Sequence, residues 1–168
     1  MTLFTYCSWC AGELKQKTQT EHICTVCHRT TYNNPRASTG VFIVNGPSVL
    51  LAIRKEKPHK GKLDVIGGFL EFNEDPIAGL KREVKEETGL SIKNISLIGV
   101  YCGLYNEDVS YCTLMYIAEI KSGTLIPGDD VASLVWHPIK DVPTKDFAWP
   151  WMKDALTELK ARIDKKQK

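Results

Sequence analysis

The sequence predicts an α/β domain of several strands and two helices, preceded by a small metal-knit module, and three observations predict it. Apolar residues recur at strand spacing in five runs, 40–44, 49–54, 95–101, 111–120 and 133–137. They recur at helical spacing after Asp75-Pro76 and again after Trp151. Four of the six cysteines fall within the first 27 residues as two CxxC pairs.

Length and composition set the limits. At 168 residues and 43% hydrophobic content, the chain can bury one substantial core and a small accessory module, not two full domains. A formal net charge of +2 gives no general pull towards nucleic acid or a membrane surface. No apolar run approaches the ~18 residues that read as a transmembrane helix, so no membrane partner is expected. The start, MTLFTYCSWC, lacks the basic and apolar stretches of a secretory signal, and the expected location is cytoplasmic. No internal repeat or low-complexity segment interrupts the chain.

Taken in order, Cys7-x2-Cys10 and Cys24-x2-Cys27 come first, separated by a thirteen-residue loop, and they predict a zinc ribbon over residues 1–33. Tetrahedral zinc takes four thiolates, and two CxxC turns supply them; with every position filled, no site is left for water, so the ion is structural. A segment this short buries too little to fold alone, so the metal supplies its stability. His22 and His28 flank the second pair as bystanders. Tyr32 to Arg36, YNNPR, is a connector, because Pro35 disfavours helix at Asn34. Strands 40–44 and 49–54 follow around the turn Asn45-Gly46-Pro47-Ser48. Next comes a loop with Arg54, Lys55, Lys57, His59, Lys60 and Lys62; Arg54, Lys55, Lys60 and Lys62 are candidate contacts for an anionic substrate.

The stretch from Gly68 to Leu90, GFLEFNEDPIAGLKREVKEETGL, carries the chemistry. Asp75 is a side-chain acceptor placed before Pro76, whose φ is already set, and Gly89 is a natural stop, so a helix of about 12 residues is expected between them. On it Ile77, Leu80 and Val84 fall at core spacing, while Glu83, Glu86 and Glu87 stand three and four apart and share a face. Carboxylates that close repel, so at least one pKa should rise, and a hard divalent cation would relieve the conflict. Magnesium is the expected ion, with manganese as the alternative. Arg82 lies beside Glu83 and four residues before Glu86, where a bidentate pair can fix a carboxylate rotamer. Gly67 and Gly68 allow close backbone approach, with the Gly68 carbonyl a candidate ligand.

Gly68, five residues, Glu74, seven residues and then Arg82-Glu83-Val84-Lys85-Glu86-Glu87-Thr88-Gly89-Leu90 reproduce every fixed position of the Nudix box, so the chain resembles the Nudix hydrolases. The likeness implies an α/β/α sandwich with a mixed sheet over residues 38–168. It further implies cleavage of a nucleoside diphosphate linked to another moiety, with divalent metal on the box glutamates. Carried across, Glu83, Glu86 and Glu87 become metal ligands or the water-activating base, Arg82 their orienter and Glu74 a supporting carboxylate. Ile66 departs from the proline that many members place before the glycines. Where many relatives hold a further glutamate this chain has Ser133, so Glu107, Asp129 or Asp130 would substitute, or the box glutamates suffice.

Among the remaining elements, Tyr101, Tyr105 and Tyr111 are candidates to stack on a base, with Tyr105 the expected substrate contact. Cys102 and Cys112 lie in apolar strand-like runs and are expected as buried thiols. Met152, Ala155, Leu156, Leu159 and Ile163 make a helical stripe that should cover the sheet, with Trp149 and Trp151 as packing residues. A ribbon ahead of such a domain resembles the NADH pyrophosphatases, yet their Ser-Gln-Pro-Trp motif is absent, which demotes NADH. The expected activity is therefore Mg²⁺-dependent hydrolysis of ADP-ribose or a similar dinucleotide-like compound, with a homodimer as the candidate assembly. The alternatives are a nucleoside triphosphate pyrophosphohydrolase and, in another class, a nucleotide-sensing or nucleic-acid-binding adaptor. The intact carboxylate set and the sparse basic content of the ribbon argue against the adaptor and against a nucleic-acid partner.

Overall fold

The computed structural model describes residues 5–106 and 109–166. They form two compact units, one reaching to Pro35 and including Leu104–Ser110, the other comprising Arg36–Gly103 and the chain from Tyr111 onwards.

The first unit is an antiparallel sheet in the order β1-β2-β3, from Leu14–Gln16, Glu21–Cys24 and Thr30–Tyr32. Lys15 stands opposite Ile23, and His22 opposite Thr31. Both CxxC turns close on backbone hydrogen bonds, Ala11 N donating to Cys7 O and His28 N to Cys24 O. The core of this unit is Cys7, Leu14 and Cys24, with Cys27 packed against it, while Trp9, Val26 and Tyr6 are exposed. So small a core cannot offset the entropy of ordering the segment, which leaves stability to the sulfur cluster.

The strands that follow are β4 (Arg36–Asn45), β5 (Ser48–Arg54), β6 (Leu63–Asp64), β7 (Leu90–Leu104), β8 (Ser110–Gly123) and β9 (Val131–Pro138), all in the second unit apart from the Leu104 and Ser110 ends of β7 and β8. The helices are α1 (Pro76–Thr88) and α2 (Met152–Lys166). The sheet runs β6-β5-β4-β8-β7, with β9 paired to β5. It is mixed: β4 and β8 are parallel from Arg36↔Tyr111 to Val44↔Glu119, whereas β5 is antiparallel to β4, β6 and β9. The parallel pairing explains a difference from expectation. β4 starts at Arg36, inside the expected connector, because the backbone there hydrogen-bonds to β8, a long-range partner that local sequence does not reveal.

The sheet is buried on both faces. Val41 and Ile43 join Leu80 and Val84 of α1 in one cluster with Leu50, Ile66, Leu90 and Tyr116. Phe42, Leu51 and Met115 are also fully buried, and α2 supplies Met152, Ala155, Leu156 and Leu159, the expected stripe. The expectation of buried thiols fails: Cys102 is exposed and Cys112 half-buried, because alternation along a strand leaves one of its faces outside the core.

Candidate active site

α1 starts and stops where the sequence places it. Asp75 Oδ1 accepts from the N–H groups of Ile77 and Ala78, at 2.9 and 3.0 Å, and Pro76 opens the helix. Gly89 adopts the left-handed conformation, φ 72°, and its N–H donates to Lys85 O. A side chain at Gly89 would be strained, and its Cβ would lie 2.6 Å from Thr124 O.

This helix faces the backbone of the glycine loop. Gly67 N–H donates to Glu87 Oε2 at 2.9 Å, and a Cβ on Gly68 would fall 2.6 Å from the Glu83 carboxylate. Glycine at 68 thus leaves room for Glu83 against the main chain. The loop is itself pinned to β4, with Thr39 N donating to Gly68 O and Val41 N to Ile66 O, at 2.9 and 2.8 Å. The Gly68 carbonyl therefore spends one lone pair on Thr39, and one remains for a cation.

Arg82 gathers the other carboxylates. Its Nε and Nη2 grip the two oxygens of Glu74 at 2.8 and 2.9 Å, a bidentate pair. Its Nη1 donates to Glu83 Oε1 at 2.8 Å and to Glu86 Oε2 at 3.0 Å, and Nη2 reaches Phe69 O at 3.3 Å. The sequence placed the bidentate grip on Glu83 or Glu86; it falls on Glu74, which the turn ahead of α1 brings back over the helix. The Arg82 bonds, with help from Glu71 N–H, hold the Glu74 carboxyl down at about 2.

Burial acts the other way on two members of the set. It pushes Glu87 up to about 8, opposed by the Gly67 hydrogen bond and reinforced by the charges of Glu83, Asp64 and Asp130. It raises Glu83 too, against the pull of Arg82. Repulsion between glutamates, the cause expected from spacing, is the smaller contribution. Half-buried carboxylates that resist ionisation, beside a loop with a spare carbonyl lone pair, are a donor set suited to a hard divalent cation. Glu86 stands outermost, its side chain 58% exposed.

One residue that sequence reasoning missed lies just upstream. Asp64 is buried, and it accepts from Arg54 Nη1 at 2.7 Å, Val65 N at 2.8 Å and Trp149 Nε1 at 3.0 Å. Burial raises its pKa against Arg54. An aspartate inside an apolar run leading into paired glycines was the available signal. Arg54, expected to contact substrate, is instead held against Asp64, and its Nε donates to Pro58 O at 2.7 Å. Lys55 Nζ donates to Asp129 O at 2.7 Å, Lys62 pairs with Asp146 at 3.5 Å, and Lys60 is exposed. Asp129 and Asp130 sit on a loop that closes onto the end of α1, with Ile126 N bonded to Thr88 O and Gly128 N to Glu87 O. Glu107 lies outside the described residues. Tyr105 belongs to the segment grouped with the first unit, with its N–H bonded to Val109 O. Tyr101 stacks on Trp151 with ring centroids 5.3 Å apart, and the Tyr111 hydroxyl accepts from Trp151 Nε1 at 2.7 Å, so both tyrosines are committed to packing.

In the first unit the sulfurs of Cys7, Cys10, Cys24 and Cys27 all lie within 4.8 Å of one another. Cys7 and Cys27 are 3.7 Å apart, and Cys10 and Cys24 3.5 Å, close to the edge of about 3.8 Å that four 2.3 Å Zn–S bonds give a tetrahedron. The N–H groups of Cys27 and Val26 point at Cys24 Sγ and bring its pKa down to about 6, which suits a thiolate ligand.

Residues 34–159 match the family model described as NUDIX domain. The chain belongs to the Nudix family. An ADP-ribose pyrophosphatase of Methanocaldococcus jannaschii is 32% identical over 117 residues, 69% of each chain. A protein named NAD-capped RNA hydrolase NudC, from Photobacterium profundum, is 27% identical over 150 residues, 83% of this chain and 52% of that one. This Nudix chain therefore spans about half the length of its NudC relatives. Among solved structures, a NUDIX hydrolase from Nitrosomonas europaea superposes with a TM-score of 0.74 at 28% identity, covering 88% of this chain and 85% of the other. Among the described residues, no helix is long and apolar enough to cross a membrane.

Proposed function

We propose that this Nudix protein hydrolyses the pyrophosphate bond of a nucleoside diphosphate derivative, with ADP-ribose or a similar dinucleotide-like compound as substrate. The observation that carries the proposal is the convergence of Glu83 and Glu87 on Gly67 and Gly68 while Arg82 aligns Glu74, Glu83 and Glu86. Glu83, Glu86, Glu87 and the Gly68 carbonyl would hold Mg²⁺ or Mn²⁺. Such a cation supplies positive charge that offsets the diphosphate and makes nearby water more acidic. The chain's own residues do the remaining work. Arg82 fixes the carboxylate rotamers so that no reorganisation is needed during reaction, and the Gly67 N–H fixes one oxygen of Glu87. Lys55 and Lys60, at the exposed edge of the basic loop, are the candidates to meet substrate phosphates.

Cys7, Cys10, Cys24 and Cys27 would hold a structural zinc, and the expected division is a ribbon over residues 1–33 and a catalytic domain over 38–168, whose first strand extends back to Arg36. The relative named ADP-ribose pyrophosphatase supports the substrate. The relatives named NAD-capped RNA hydrolase favour a second reading, in which the dinucleotide is the 5′ end of an RNA. That reading reopens a nucleic-acid partner against the expectation from charge.

The test is product analysis with Mg²⁺ on ADP-ribose, NADH, NAD⁺, NAD-capped RNA, a dinucleoside polyphosphate and the nucleoside triphosphates. AMP and ribose 5-phosphate, formed preferentially from ADP-ribose, are the expected products. Preferred release of pyrophosphate from one triphosphate would replace this reading with the triphosphate alternative. Glu83→Gln and Glu87→Gln should each lower turnover by at least a hundredfold and leave folding intact, and near-normal turnover in both would refute the site.

A further inference from the structure

Outside the carboxylate site and the sulfur cluster, the described residues hold a further pair of close thiols. Cys102 on β7 and Cys112 on β8 sit on neighbouring strands with their sulfurs 3.3 Å apart. Their closeness does not rest on two loose side chains. Tyr101, which precedes Cys102, stacks on the Trp151 ring, and Tyr111, which precedes Cys112, accepts the Trp151 N–H at 2.7 Å. One tryptophan thus anchors both strands beside the pair. Further along the hairpin, Tyr105 N–H donates to Val109 O at 2.7 Å and keeps the strands in step. Among the described residues, no further histidine, cysteine or carboxylate gathers with these sulfurs into a metal cluster.

Thiols of this kind differ from inert core cysteines. Cys102 is exposed, so an oxidant in solution can reach it, and Cys112 is half-buried directly against it. That is the arrangement of an attacking thiol with a resolving thiol beside it. We propose that Cys102 and Cys112 form a site of reversible oxidation, closing to a disulfide between β7 and β8 when they meet a small disulfide oxidant such as oxidised glutathione. The Cys102 thiolate attacks one oxidant sulfur, and a glutathione thiolate leaves. Cys112 then gives up its proton and attacks the Cys102 sulfur of the mixed disulfide, expelling the second glutathione. Two protein thiols lose two electrons and two protons, and the oxidant becomes two molecules of thiol. Neighbouring strands with sulfurs already in contact need only small side-chain rotations to reach bonding geometry.

The test uses the full chain with zinc bound. It is incubated with oxidised glutathione, quenched by alkylation and mapped by mass spectrometry. Wild type should lose two of its six thiols to a Cys102–Cys112 linkage that dithiothreitol reverses. Cys112→Ser should instead accumulate a glutathione adduct on Cys102, at least tenfold faster than Cys102→Ser acquires one on Cys112. The oxidised protein should melt roughly 5 °C above the reduced one, because the linkage restricts the unfolded chain. Retention of all thiols would overturn the proposal. So would a glutathione adduct that persists on wild-type Cys102, a linkage to a ribbon cysteine, or a melting temperature lowered by oxidation.

Discussion

Replacing Asp64 by Asn tests whether one buried carboxylate holds the approach to the glycine loop. Asn keeps the shape and an acceptor for Val65 N–H, so the change removes charge while leaving size almost untouched. It sets a neutral amide against Arg54, whose side chain is 18% exposed, and against the Trp149 N–H. Breaking a buried ion pair on one side costs about 3–5 kcal/mol. Arg54 keeps its bond to Pro58 O and some access to water, which places the expected loss at the lower end, about 3 kcal/mol. For a chain of 168 residues this lowers the Tm by roughly 6–12 °C. Trp149→Phe removes one bond to the same carboxylate and should cost about 1.5 kcal/mol. The two losses should add to less than their sum in the double variant, because both act through one carboxylate. The assay is thermal and urea unfolding, with turnover followed well below the Tm. Turnover of Asp64→Asn should fall less than tenfold, since Thr39 and Val41 still pin the loop to β4. A stability loss below about 1 kcal/mol would refute the account of Asp64, and loss of all turnover in a folded variant would show that it acts directly in the reaction.

Other outcomes follow from the same geometry. In buffer holding zinc but no other divalent cation, Glu87 prefers its proton when folded, with a pKa of about 8 against an ordinary 4.5. Its stabilising effect is therefore complete below about pH 4.5 and lost as pH rises through 8, a fall that Glu87→Gln should lack and added Mg²⁺ should reverse; equal pH slopes in the two proteins would contradict this. Arg82→Lys loses the bidentate hold on Glu74 and should cut turnover ten- to a hundredfold with the Tm changed by a few degrees, as read by steady-state kinetics and calorimetry. Stripping zinc with a chelator should expose residues up to Pro35 to protease and leave the sheet of the second unit resistant, and equal protection before and after would show that the sulfur cluster needs no metal.

Much of this was legible in local sequence because its physics is local. Asp75, Pro76 and Gly89 bound α1 through contacts no more than four residues away, and the three-and-four spacing of Glu83, Glu86 and Glu87 is fixed once the helix forms. The two CxxC turns are equally local. What the sequence determined by itself was therefore the helix with its carboxylate face, the sulfur set and the order of the elements. The tertiary structure decided which partner each group meets. It turned Arg82 towards Glu74, set Asp64 beneath Arg54 and Trp149, and raised Glu87 through burial more than through repulsion. It also brought Cys102 and Cys112 into contact near the solvent, where hydrophobic pattern alone pointed to the core. The glycine loop that meets Glu87 is pinned to β4, and β4 pairs in parallel with β8, joining residues 75 positions apart. Such a pairing is stabilised by the finished core and leaves no periodic trace in either strand.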